Sequence, residues 1–145
     1  MRKPKMTEYG DYATWVTFEV MAYYQVRLII SRDLVKSWKG RLAQGPDENS
    51  LAFCYHVKDQ GRSYIFLQPD SSAGTIAHEC WHIVHQVLSF CGVEQWDDEV
   101  VAYYLDHMVE KVYEFKKAIA LKSSTKKETT NGKRKRRTKP ATASA

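Results

Sequence analysis

His78-Glu79-Cys80-Trp81-His82 sets two imidazoles four residues apart, with a carboxylate beside the first. On a helix, residues four apart stand about 40° from each other around the axis, so both imidazoles can reach one zinc ion. Glu79 then lies next to that face. In sites of this kind the carboxylate does not ligate: it accepts a proton from a water whose pKa the ion has lowered, which makes a nucleophile at neutral pH. A catalytic zinc takes three protein ligands and leaves one position for water, so a third donor is required from elsewhere. Glu99 is the expected third ligand, because it opens the next helical stretch, where an antiparallel helix hairpin would return it over His82. Asp98 is the rival for that role and Asp97 is the expected helix cap. His85 shares the His78 stripe, but reaching the same ion would strain the helix, so it is expected beside the site. His56 and His107 have no motif partner and read as surface or packed residues.

These residues need two helices to carry them. Residues 75–90 form the first, with Ser71, Ser72 or Thr75 as its cap and Gly92 as its stop. Ile76, Cys80, Ile83, Val84, Val87 and Cys91 make an apolar stripe opposite His78, His82 and His85, so the histidines face a cleft or solvent. The second helix runs from 97 to about 121. Asp97, Asp98 and Glu99 suit the positive end of its dipole. With Glu99 at 0°, its apolar residues Val101, Leu105, Met108 and Val112 fall at about 180–240°. Glu99 therefore lies off that stripe, beside Tyr103, Asp106 and Glu110.

Before the motif, 52–57 and 63–67 read as a hairpin whose turn places Gly61 where a positive φ is needed. Residues 24–30 alternate as a half-buried strand with 15–20 as its partner, and a helix over 18–29 is the alternative. Residues 32–41 form a short helix and 44–50 a surface loop. The fold expected is α+β: a small antiparallel sheet packed on the helix that bears the motif and on the glutamate-bearing helix after it. Residues 1–12 are expected to be flexible, 13–121 to form the domain, and 122–145 to be a disordered basic tail.

Together His78, Glu79, His82 and Glu99 resemble the zincin metallopeptidases of the gluzincin type, in which H-E-x-x-H supplies two ligands and the base, and a glutamate on the following helix is the third ligand. The hairpin before the motif, and a second helix opening with Asp97-Asp-Glu-Val-Val-Ala-Tyr-Tyr104, are similar to compact zincin-like proteins such as the SprT-like and ImmA/IrrE-like groups and small bacteriophage-encoded zinc peptidases. The resemblance covers residues 15–117. It implies one zinc ion, hydrolysis of peptide bonds by metal-activated water, and a protein or peptide substrate. Larger gluzincins carry an Asp four residues after the ligand glutamate. Tyr103 stands there in this chain, so support for a ligand must differ or come from Asp106. Tyr103 is then a donor to the oxyanion of a tetrahedral intermediate, with packing between the helices as its plain alternative. The 63–67 strand becomes the sheet edge on which an extended peptide pairs, an interior strand being the alternative. The rival class is a non-catalytic zinc-containing binding or regulatory module. Glu79 favours the enzyme, since a structural site has no use for a base.

Composition bounds these readings. With 43% hydrophobic and 27% charged residues, the chain of 145 residues suits one folded domain. Its most apolar stretch, 15–30, is broken by Glu19, Gln25 and Arg27, which excludes a membrane span of about 20 apolar residues. The odd set Cys54, Cys80 and Cys91, with no apolar segment after Met1 to make a leader, points to a reducing cytoplasm. Cys80 and Cys91 on one helix would stand about 16 Å apart, beyond disulfide reach. The net charge of +5 divides unevenly: residues 122–145 hold nine Lys or Arg against one acid, a charge of +8, which leaves −3 for the rest. Lys126, Lys127, Lys133, Arg134, Lys135, Arg136, Arg137 and Lys139 have no aromatic residues among them. Such a run binds DNA or RNA phosphates without reading sequence, the plain alternative being a solubilising terminus. Truncation after Leu121 is therefore expected to weaken salt-sensitive DNA or RNA binding in a gel-shift titration and to leave zinc content unchanged; binding undiminished in the truncated chain would refute the division.

Overall fold

A strand that is apolar on both faces needs cover on both faces, and this decides the order of the sheet. The computed structural model describes residues 4–18, 23–42, 45–46, 49–57, 60–93 and 97–134, with side chains to 122. Its elements are β1 (Lys5–Met6), β2 (Tyr12–Thr17), β3 (Gln25–Ile30), α1 (Leu34–Lys39), β4 (Ala52–Val57), β5 (Arg62–Leu67), α2 (Ala73–Phe90) and α3 (Asp98–Arg134). The α+β class expected from sequence holds, and Gln25–Ile30 is strand, not helix.

The strands lie in the order β1-β2-β3-β5-β4. This corrects the expectation of a wholly antiparallel sheet: β3 and β5 run parallel, with Leu28 opposite Ile65 and Ile30 opposite Leu67. β5 buries Ile65 and Leu67 against the core under α2 and α3, and Phe66 against the cluster that includes Leu34 of α1. β4 buries only Phe53 fully. The doubly apolar strand takes the interior and its hairpin partner takes the edge. The 63–67 strand is thus not the edge on which a peptide could pair; β4 is.

Local signals act where the sequence puts them. Ser72 Oγ caps α2 by accepting from Thr75 N–H at 3.1 Å. Gly92 turns the chain out of α2 at φ +75°, with Val93 N–H donating to Leu88 C=O at 3.0 Å and Gly92 N–H to Ser89 C=O at 3.1 Å. Gly61 takes φ +55° in the β4–β5 hairpin. Asp97 caps α3, its Oδ1 accepting from Glu99 N–H at 2.8 Å.

Elements extend toward both ends of the described residues. α3 continues past 121 to Arg134. The side chains of Lys126, Lys127, Lys133 and Arg134, and residues 135–145 with Lys135, Arg136, Arg137 and Lys139, lie outside the described residues, as do 1–3, 19–22, 43–44, 47–48, 58–59 and 94–96. Residues 4–12, expected to be flexible, include β1, which pairs with β2. They are tied down by Asp11, which is fully buried. Arg41 grips both Asp11 oxygens, at 2.7 and 2.9 Å, while the Thr7 and Ser37 hydroxyls donate to the same carboxylate. The Arg41 guanidinium also lies over the Tyr9 ring, 4.2 Å from its centroid. Among the described residues no helix is long and apolar enough to cross a membrane.

Burial pushes the Asp11 carboxyl up, but the hydrogen bonds from Arg41, Ser37 and Thr7 outweigh it, so its pKa lies below the ordinary 3.8. A depressed carboxylate stabilises the fold above its unfolded pKa, and that stability is lost as the pH falls through the folded value. Asp11→Asn is expected to cost about 3 kcal/mol at neutral pH, because it leaves Arg41 without its counter-charge. Urea denaturation should show the gap to wild type narrowing below about pH 4; a gap that does not change with pH would refute this account.

Candidate metal centre

The rotation of α2 on the sheet is set by Ile76, Cys80, Ile83, Val84, Val87 and Leu88, each at most 1% exposed. At about 100° per residue this stripe lies opposite His78, His82 and His85, and all three are exposed as expected. His78 Nε2 and His82 Nε2 stand 3.1 Å apart, with the rings edge-to-face at 84°. Two nitrogens bound at about 2.0–2.1 Å around a tetrahedral ion stand about 3.3 Å apart. The pair therefore has the chemistry and nearly the spacing of two donors to one zinc.

Glu79 is turned about 100° from His78, toward β4, and is only 7% exposed. Cys54 of β4 meets it there, its Sγ donating to the Glu79 carbonyl at 3.2 Å. Burial, then the Glu79 charge, push the Cys54 thiol well above its ordinary range and the Cys80 thiol up to about 12. The base of the motif is thus enclosed between its own helix and the edge strand.

The structure adds a residue that the sequence reading set aside. His56 lies two positions after Cys54 and so on the same face of β4. Its Nδ1 is 2.8 Å from Ser63 Oγ, and Ser63 is hydrogen-bonded in turn to the Tyr24 hydroxyl, Ser63 and Tyr24 both being buried. Burial lowers the His56 pKa, and the nearby His82 and His85 lower it further. Spacing could not reveal this neighbour. The alternation of Ala52, Cys54 and His56 toward α2 was the signal, and it needed the order of the strands to be read. His107, by contrast, is packed against Phe18 as expected, with ring centroids 5.5 Å apart.

Glu99 is not brought to the histidine pair. It is exposed in the first turn of α3 beside the equally exposed Asp98. The reason is longitudinal. Tyr104 belongs to the buried core on which Cys91, the C-cap of α2, also packs. Glu99 precedes Tyr104 by about 7 Å of helix, while His82 sits about 13 Å back from Cys91. Tyr103 is 67% exposed, its ring edge-to-face with Tyr104, and Asp106 is exposed. Among the described residues no three His, Cys, Asp or Glu side chains form a group that could hold a metal. Comparison with protein families, with curated proteins and with solved structures finds no match.

The enclosure of Glu79 can be tested through its sulfur neighbours. With the Cys80 thiol pushed up to about 12, its thiolate is scarce at pH 8, and both Cys54 and Cys80 are expected to resist iodoacetamide in the folded protein and to react fully in urea. Mass-spectrometric detection of alkylated Cys80 under native conditions would contradict this packing.

Proposed function

We propose that the chain is a zinc-dependent metallopeptidase of zincin-like type. The observation that supports this best is the His78–His82 pair, with Nε2 atoms 3.1 Å apart, on the exposed face of a helix whose Glu79 is held against the edge strand. His78 and His82 would hold the ion, and Glu99, exposed and without an ion pair among the described residues, would complete the ligand set only with the start of α3 moved toward α2. Bound there, zinc supplies Lewis acidity and a water of lowered pKa.

The residues of the chain supply the rest. Glu79 accepts the proton released by the attacking water and passes it to the leaving amine, a role for which its shelter behind Cys54 keeps it in one position. The free edge of β4, beside the same helix, offers main-chain N–H and C=O groups to an extended peptide and so takes the part first expected of 63–67. Tyr103 is proposed as the donor to the oxyanion. Cys54, Cys80 and Cys91 form no disulfide among the described residues, which accords with a reducing cytoplasm, and the basic residues after 121 accord with attachment to DNA or RNA backbones.

Purified protein is expected to carry one zinc ion per chain by elemental analysis, and His82→Ala to lower zinc affinity by about 100-fold or more. Glu79→Gln should retain zinc while its rate of casein cleavage falls by about 10² to 10⁴. Zinc bound with no hydrolysis by wild type or variant would assign a binding module instead, and wild type without zinc would overturn both.

A further inference from the structure

A second concave site lies where α3 crosses the sheet, and no residue of α2 lines it. A cavity of about 740 Å³ opens between α3, the start of β2, and the segments that follow β3 and β5. That volume falls within the range of small-molecule sites. Its walls are apolar, formed by Met6, Tyr12, Ile30, Tyr113 and Ile119, while its polar side chains include the cations Arg32, Lys116 and Lys117. None of the lining residues is Asp or Glu. Asp70 lines a separate cavity of about 340 Å³ that shares Arg32 and Pro69 with the first.

Two further observations bear on what the cavity takes. Lys116 Nζ donates to the Ser71 carbonyl at 3.2 Å, which fixes one ammonium at the cavity, whereas Arg32 and Lys117 have no hydrogen bond or ion pair from their side chains among the described residues. Met6 is 60% exposed and Tyr113 44% exposed, so the apolar walls are wet. Water over apolar walls is displaced favourably by an apolar body, and like charges around a low-dielectric concavity focus a field that attracts an anion.

We infer that this cavity is a binding site for a small amphipathic anion, with its apolar body against Met6, Ile30, Tyr113 and Ile119 and a single carboxylate or phosphate head at Arg32, Lys116 and Lys117. A neutral ligand leaves the three cations of the lining without a counter-charge there, and a cationic one adds to their repulsion. The site is independent of the histidine pair and of any zinc chemistry there.

Calorimetric titration of the full chain with laurate and with dodecyl phosphate, both below their micelle concentrations, tests the inference. Saturable binding of one molecule per chain is expected for at least one of them. Dodecyltrimethylammonium, with the same tail and the opposite charge, should bind at least about 10-fold more weakly. Two variants that approach the site differently should each lose about 10-fold in affinity: the double charge reversal Arg32→Glu with Lys117→Glu, and Ala120→Phe, which fills the cavity from α3. Circular dichroism melting establishes that each is folded. Binding of neither anion, equal binding of the cationic amphiphile, or affinity unchanged in both folded variants would overturn the proposal.

Discussion

The candidate site depends on one constraint, the rotational seat of α2 on the sheet. Its buried stripe leaves a single orientation in which no imidazole is trapped in the core. Turning the helix by one residue would expose side chains such as Ile83 and Val84, each worth about 1.5–3 kcal/mol when buried. It would also drive a histidine toward the apolar interior without a partner, which is costly in its own right. Translation along the axis is fixed as well. The Ser72 cap and the Gly92 turn set the ends, the Cys54 thiol meets the Glu79 carbonyl, and Phe90 packs edge-to-face on Tyr24 at 5.3 Å. The proximity of His78 and His82 is thus imposed by packing on the opposite side of the helix.

The same seat explains the polar chain under the flank of α2. Tyr24, Ser63 and His56 belong to different parts of the sheet, and Tyr24 and Ser63 are buried in an otherwise apolar layer. Unpaired, each hydroxyl would cost stability; linked, they satisfy one another and hold the His56 ring by its Nδ1. This linkage follows from the parallel pairing of β3 with β5, which carries the segment preceding β3 to the side of Ser63.

What the sequence disclosed, and what it withheld, follows the range of the interactions. Both helices of the site, the Asp97 and Ser72 caps, the Gly92 stop and the Gly61 turn rest on residues within a few positions of one another, and each was legible. The outward histidines were legible too, because helical periodicity fixes faces. The parallel β3–β5 pair was not, since which strand takes the interior depends on covering both faces of β5 with elements far away in sequence. The order in residues 4–12 was hidden for the same reason: Asp11 finds Arg41 across about 30 residues of chain. Glu99 shows the sharper limit. Periodicity placed it correctly off the apolar stripe, but a helical wheel carries no information along the axis and cannot say how far the first turn of α3 stands from His82.

α3 also gives the charge asymmetry a physical form. Asp98 and Glu99 stand at the end of the helix where the dipole favours carboxylates, and the lysine-rich sequence approaches the end where it favours cations. Between them Val101, Met108, Val112 and Phe115 are buried in the core. A helix of 37 residues is about 55 Å long. Screening at physiological salt acts over about 8 Å, so its two ends are electrostatically independent.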